Sequence, residues 1–296
     1  MYNFPKEKNS MKIIDIITSG KPGLSFEVFP PKTSDNFDSV MDATTEISKL
    51  CPSYMSVTYG AGGGTSKYTA DIAENLLSMG VTPLAHLSCI SSTKEQIHTL
   101  LSDLKKRGIE NILALRGDIP EGFDMSGHEY SYASELTAEI RNFGSFCIGG
   151  ACYPESHPES ENSAKDIEAL RIKVEAGCEF LTTQMFFDNN ILYNFMYRLM
   201  RAGVDVPVVA GIMPVTNAKQ IKRIISISRN ALPQRFVRLV DRYGDNPEAM
   251  KQAGIAYATE QIIDLYANGV NAVHVYSMNK PEVARAIRDN ISEIIK

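Results

Sequence analysis

The stretch Leu24-Ser-Phe-Glu-Val-Phe-Pro-Pro-Lys32 decides the fold. Residues 24–29 are dense in Phe and Val, the composition of a buried strand. Pro31 has no N–H to give to a sheet ladder, so the strand ends there and Glu27 lies near its C-terminal tip. The strand runs into Phe-Pro-Pro-Lys instead of the Gly-rich turn that opens a dinucleotide-binding open sheet. Glu27 itself is informative. Burying an ionised carboxylate without a partner costs several kcal/mol, and the usual escape is a raised pKa, which leaves a group able to hold and donate a proton near neutral pH. A buried Glu paired with a core Arg or Lys is the competing reading of the same residue.

Outward from this strand, short β-branched segments alternate with longer segments of helical period. Strands are expected at 24–29, 53–58, 82–87, 110–115, 146–151, 179–184, 207–212 and 271–276. Helices are expected at 36–49, 67–79, 93–107, 131–143, 163–176, 188–202, 216–230 and 280–294, with an extra one at about 246–267. Ser34/Asp35, Thr93 with Gln96, and Asn279 before Lys280-Pro281 carry helix-start signals; Gly80, Gly108, Gly177, Gly203 and Gly269 carry helix-end signals. Eight alternating pairs argue for a parallel sheet closed into a single-domain (β/α)8 TIM barrel over 21–296, preceded by an N-terminal extension or helix over 1–20.

Composition narrows the class. The chain of 296 residues is 44% hydrophobic and 22% charged, as soluble globular proteins are. Its net charge of −5 gives no electrostatic reason to expect nucleic acid or an anionic membrane. No apolar run reaches the ~18 to 20 residues of a membrane span, and Lys12 and Asp15 interrupt the only apolar stretch near the N-terminus, so no signal peptide is expected. Cys51, Cys89, Cys147, Cys152 and Cys178 are dispersed with no CxxC pair, which fits buried thiols in a cytoplasmic protein better than disulfides or zinc.

In a barrel of this kind the active site is built where strands meet the following loops. Polar residues collect there: Glu27, Thr58 leading into Tyr-Gly-Ala-Gly-Gly-Gly64, His86, Arg116-Gly-Asp118, Tyr153-Pro-Glu-Ser-His157 and Gln184. Each has an ordinary alternative, such as a flexible loop, a core histidine, a structural salt bridge or a buried amide. Together they outnumber what structure alone requires. The set holds no Ser/His/Asp order, no Cys beside a His and no metal cluster. One buried acid, an Asp, an amide, an Arg and aromatic rings suit a flat polar heterocycle, with a cofactor performing any redox step.

These residues fall in motifs that resemble the bacterial 5,10-methylenetetrahydrofolate reductase family. The motifs are Ser25-Phe-Glu-Val-Phe-Pro-Pro-Lys32, Val57-Thr-Tyr-Gly-Ala-Gly-Gly63, Ala85-His-Leu-Ser-Cys89 and Leu115-Arg-Gly-Asp118. They continue with Tyr153-Pro-Glu-Ser-His-Pro-Glu159, Lys173-Val-Glu-Ala-Gly177, Thr183-Gln-Met-Phe-Phe-Asp188 and Gly211-Ile-Met-Pro-Val215. The resemblance implies a (β/α)8 flavoprotein in which NADH or NADPH reduces FAD, leaves, and is replaced by methylenetetrahydrofolate, which takes the hydride. It implies Glu27 as the acid, Asp118 near the flavin pyrimidine and the pterin, and Gln184 as the amide on substrate, with Met278 as a further substrate contact.

FAD contacts are implied at Thr58, Tyr59, His86, Leu115, Arg116, Gly117, Asp118, Ala151, Tyr153, His157, Asp166 and Lys173. A homo-oligomer in the cytoplasm is implied as well. Two departures stand out. Ala218, in Thr216-Asn-Ala-Lys-Gln220, occupies a position where relatives often have a stacking aromatic, and Ile172 one where some have a basic residue. They leave room for two other readings: a flavin-bearing subunit that takes electrons from a redox partner protein, and a folate-binding barrel without activity.

Overall fold

A computed structural model describes residues 11–31, 36–59, 66–119, 128–227 and 232–296. Eight strands close a parallel barrel in chain order: β1 (Gly23–Val28), β2 (Met55–Val57), β3 (Pro83–Ser88), β4 (Asn111–Leu115), β5 (Cys147–Cys152), β6 (Phe180–Thr183), β7 (Val208–Ile212) and β8 (Ala272–Val275). Around and below them lie α1 (Ile13–Ile17), α2 (Phe37–Ser48), α3 (Ser66–Ser78), α4 (Lys94–Lys106), α5 (Ala133–Phe143), α6 (Ser163–Glu175) and α7 (Asn189–Arg201). The series ends with α8 (Ala218–Ile227), α9 (Gln234–Tyr243), α10 (Pro247–Ala267) and α11 (Pro281–Asn290). The closed (β/α)8 TIM barrel expected from the alternation is the observed fold.

Strand composition explains the layers. Outward residues such as Phe26, Val28, Met55, Ile112, Ile148 and Val275 are fully buried and join the helix faces in the main core. Inward residues at the strand starts, Tyr54, Leu84, Leu113, Cys147, Phe180 and Val209, form a second cluster with Ile13. That cluster closes the barrel floor. Ile13, on the short α1, is held there by Asn111: its Oδ1 accepts from Ile13 N at 2.8 Å, and its Nδ2 donates to Met11 O at 3.2 Å and Pro83 O at 3.3 Å. Asn111 is the first residue of β4 and fully buried, so α1 plugs the N-terminal mouth and leaves the C-terminal mouth open.

The helix punctuation follows its chemistry. Thr93 and Gln96 form a reciprocal capping box on α4. Gly80, Gly108, Gly177, Gly203 and Gly269 all have positive φ just past helix ends. Three expectations need correction. Residues 231–270 hold two helices instead of one, because Pro233 starts α9 ahead of α10. The N-cap of α11 is Lys280, while the Asn279 side chain bonds Phe29 N at 3.0 Å and Phe29 O at 2.9 Å, sewing the barrel seam between β8 and β1. The last helix stops at Asn290, short of the expected 294. The Ser34/Asp35 cap, Lys32, the Gly60–Gly64 turn, residues 1–10 of the expected extension and the last residues of the 216–230 helix lie outside the described residues.

Candidate active site

The open mouth leads into a cavity of about 440 Å³, within the range of small-molecule sites. Glu27, Thr58, His86, Leu115, Ala151, Tyr153, Gln184 and Met278, all expected from sequence, line it. The inward stagger of a barrel explains the convergence, since alternate residues of successive strands face the axis.

Glu27 stands on the wall of this cavity. Its side chain is 18% exposed, and burial raises the carboxyl from 4.5 to about 8. Ser56 Oγ, opposite it in the β1–β2 register, is 3.4 Å from Oε2. His86 Nε2 stands 3.7 Å from the same oxygen, and burial pushes His86 down to about 3, so the pair is neutral imidazole beside neutral carboxyl near pH 7. The core Arg or Lys partner that would make Glu27 structural is not among its contacts within the described residues. Burial thus favours the protonated form of Glu27 at the cavity wall.

Gln184 follows β6, and its Oε1 accepts from Met185 N at 2.9 Å. It also lies within hydrogen-bonding reach of the Tyr153 hydroxyl, whose pKa is raised first by burial and then by Asp118. Tyr276 crosses the barrel to donate to Thr183 O at 2.5 Å, a path open because Gly211 has no side chain to block it. The cavity also has two polar atoms with no hydrogen-bond partner among the described residues, His86 Nε2 and Thr182 Oγ1. Buried orphans of this kind call for a ligand.

A second group sits on the rim outside the cavity wall. Arg116 forms a two-pronged pair with Glu159 at 2.5 and 2.7 Å; the expected Arg116–Asp118 alternative is not the pair that forms. Gly117 has φ +87° and abuts the Ser88 side chain, so only a residue without Cβ fits comfortably. Asp118 is exposed on this rim. The nearly buried Lys173 turns inward to donate to Ala151 O at 2.6 Å, and desolvation lowers its pKa. Buried Asp166 accepts from His157 N at 3.2 Å, and the His157 ring meets the Tyr153 ring edge-on at 4.6 Å. Tyr59 packs against the main core instead of lining the cavity. The structure thus divides the expected residues into a deep set and a rim set.

Sequence reasoning missed the inward His274 of β8 and Tyr276 just after it, together with Thr182, Thr183, Met213, Gln220 and Ile224. The period-two pattern Ala272-Val-His-Val-Tyr276 would have found the first two. Ala218, where a stacking ring was expected to be missing, does not line the cavity and its methyl lies beside Gly244, while Gln220 and Ile224 are the α8 residues at the cavity. Ile172 is 46% exposed.

The sequence model of methylenetetrahydrofolate reductase matches residues 12–292. The chain belongs to the methylenetetrahydrofolate reductase family. It is 35% identical over 269 residues to the 5,10-methylenetetrahydrofolate reductase of Escherichia coli, covering 90% of each chain. The Pectobacterium carotovorum enzyme of the same name is 34% identical and covers 90% of this chain and 89% of its own. Methylenetetrahydrofolate reductase (NADH) 1 of Arabidopsis thaliana is 33% identical across 96% of this chain, which spans 51% of that longer protein. In fold, the chain resembles a Clostridium thermocellum protein described as binding two copies of 5-methyl-5,6,7,8-tetrahydrofolic acid, with TM-score 0.68 and 12% identity over 96% of this chain and 100% of that one. The family is one of folate oxidoreductases in one-carbon metabolism. Among the described residues no metal-binding cluster forms, and no helix is long and apolar enough to cross a membrane.

Proposed function

We propose that the protein reduces 5,10-methylenetetrahydrofolate to 5-methyltetrahydrofolate with FAD as its resident cofactor and NADH as donor. The observation that carries this reading is Glu27: a carboxyl raised to about 8 on the wall of a cavity that also holds two buried polar atoms without a hydrogen-bond partner among the described residues. The residues fit FAD. A flat ring system with polar edges would satisfy His86 Nε2 and Thr182 Oγ1, while Arg116, Gly117, His157, Asp166 and Lys173 on the rim suit ribose and diphosphate. Bound FAD supplies the hydride chemistry that no side chain here performs.

The chain's own residues do the rest. Opening the five-membered ring requires a proton on the departing nitrogen; Glu27 holds that proton at neutral pH and gives it up as the ring opens. The electrophilic carbon so formed accepts a hydride and becomes the methyl group. Gln184, held by Met185 N and near Tyr153, offers an amide edge to orient the pterin. Asp118, exposed at the rim, adds negative charge that is felt at Tyr153 and Arg116 and so biases the mouth towards cationic character in the ligand as charge develops. The apolar walls, Leu113, Leu115, Met185 and Met213 among them, exclude water from the reacting atoms.

The name of the plant relative supports NADH as the donor. The test is direct. Purified protein reconstituted with FAD should be bleached anaerobically by NADH and then reoxidised by methylenetetrahydrofolate, with 5-methyltetrahydrofolate as product. A protein that methylenetetrahydrofolate reoxidises but only a reduced carrier protein bleaches would replace NADH with a partner. A protein that cannot hold FAD would overturn the reading.

A further inference from the structure

Beneath Glu27 lies a buried chain of hydrogen-bonding groups that the mechanism above does not use. Ser25 and Glu27 on β1, Ser56 on β2 and His274 on β8 all face the axis. The registers explain why they meet: Ser25 stands opposite His274, and Glu27 opposite Ser56. The imidazole is clamped between the two hydroxyls, with Ser25 Oγ 2.8 Å from Nδ1 and Ser56 Oγ 2.9 Å from Nε2. Tyr54 stacks on its face at 5.5 Å with the rings 7° from parallel.

Counting hydrogens gives the chain a direction. Ser25 Oγ lies 3.0 Å from Val273 O, and a carbonyl only accepts, so the single Ser25 hydrogen is spent there. Ser25 must then accept from His274, which puts the imidazole proton on Nδ1. Burial pushes His274 down to about 3, so the ring carries one proton and Nε2 is an acceptor. Ser56 must donate to it. Ser56 has no second hydrogen, and its contact with Glu27 is correspondingly longer, 3.4 Å against 2.9 Å. A donation from Ser56 to the carboxylate would lower the Glu27 pKa, but Ser56 can make it only by giving up His274; while Ser56 donates to His274, the contact is a hydrogen bond only when Glu27 is protonated and donates.

The reverse polarity is poorer. For Ser56 to turn its hydrogen to an ionised Glu27, His274 must move its proton to Nε2 and Ser25 must leave Val273 O facing it without a hydrogen. With Glu27 protonated all four contacts are hydrogen bonds; with Glu27 ionised one is lost. The other titratable groups facing Glu27 do not replace the missing donor: His86 on β3 stands off at 3.7 Å, Tyr276 just after β8 donates to Thr183 O, and Tyr54 just before β2 lies flat against His274.

We propose that His274, acting through Ser56, keeps Glu27 protonated by taking the one hydroxyl hydrogen within reach of its carboxylate among the described residues. His274 is a positioning residue: it sets the state of the acid without touching the reacting atoms. The proposal rests on the reading of Glu27 as proton donor, but its test needs no substrate. The Glu27 carboxyl stretch, assigned as the infrared band missing in Glu27→Gln, is titrated in the purified protein. His274→Phe keeps the stack on Tyr54 and frees the Ser56 hydroxyl, so the midpoint should fall by about one pH unit or more. Ser56→Ala removes a hydroxyl that gives the carboxylate nothing, so its midpoint should stay at the wild-type value. The double variant should return to that value as well.

A midpoint unchanged or raised in His274→Phe, or a midpoint raised in Ser56→Ala, overturns the proposal. Should His274→Phe fail to fold, Ser56→Ala decides alone, since a Ser56 that donated to Glu27 would make its loss raise the midpoint. Midpoints that move as stated in a protein that does not reduce methylenetetrahydrofolate would refute the assigned reaction and leave the relay standing.

Discussion

The sharpest physical prediction concerns stability, because Glu27 holds its proton at a cost that depends on pH. In the unfolded chain its carboxyl titrates at 4.5, and in the folded protein burial raises it to about 8. Between those values the folded state binds the extra proton. Stability therefore falls as pH rises through this window, and it is not affected by this group below about 4.5. Glu27→Gln keeps the shape and removes the titration. At about 1.4 kcal/mol per pH unit, discounted for a side chain that still meets some water, the variant should gain roughly 3 to 4 kcal/mol over wild type between pH 4 and pH 8.

Urea unfolding of both proteins, free of ligand, at several pH values measures this difference directly. The same comparison by thermal unfolding should show a Tm gap that opens by very roughly 5 to 10 °C over the window. A gap that is constant with pH would mean that Glu27 titrates normally in the fold. A wild type that gains on the variant as pH rises would mean that Glu27 is an ion-paired carboxylate, and the acid role would go with it.

Two further outcomes test other parts of the structure. Asn111→Ala leaves Ile13 N and two backbone carbonyls without their buried partner at the barrel floor, so it should cost about 1 to 3 kcal/mol, read as a lower urea midpoint, while leaving the far cavity and its ligand affinity in place. A diphosphate at the rim competes with Glu159 for Arg116; Glu159 is 58% exposed, so Glu159→Gln should tighten FAD binding only two- to five-fold, about 0.5 to 1 kcal/mol, measured by flavin fluorescence quenching. Weaker binding in that variant would assign Glu159 to the ligand's side of the site.

How far the sequence was legible depends on which physical signal each residue gives. Strands such as 110–115 and 146–151 were readable because both their faces are buried and a barrel strand is therefore apolar throughout. The helix α9 was not, since Pro233 and a surface rich in Arg mask a face that buries Phe236 alone among its residues. Glu27, Gln184 and Tyr153 were legible because polar residues at strand tips have little structural purpose there. His274 and Ser56 were not: mid-strand polar residues look like satisfied core groups until the register brings β8, β1 and β2 side by side.

Asn279 and Ala218 show the same limit from the other direction. Asn279 has the chemistry of a helix cap, yet its positive φ turns its side chain to the β1 backbone. Ala218, the first residue of α8, lies six residues before the cavity-lining Ile224 with its methyl beside Gly244, so no stacking ring reaches the cavity from this position. Spacing along the chain named the helix correctly. Only packing could tell which face of it meets the ligand.

The central claim is that Glu27 serves the folate step and not the donor step. Anaerobic stopped-flow absorbance, following bleaching of the flavin by NADH and its reoxidation by methylenetetrahydrofolate in wild type and Glu27→Gln, separates the two. The account predicts that bleaching stays within a few-fold of wild type while reoxidation falls by ~100-fold or more, the range of a lost general acid. Equal losses in both steps, or a reoxidation rate that survives the substitution, would contradict it.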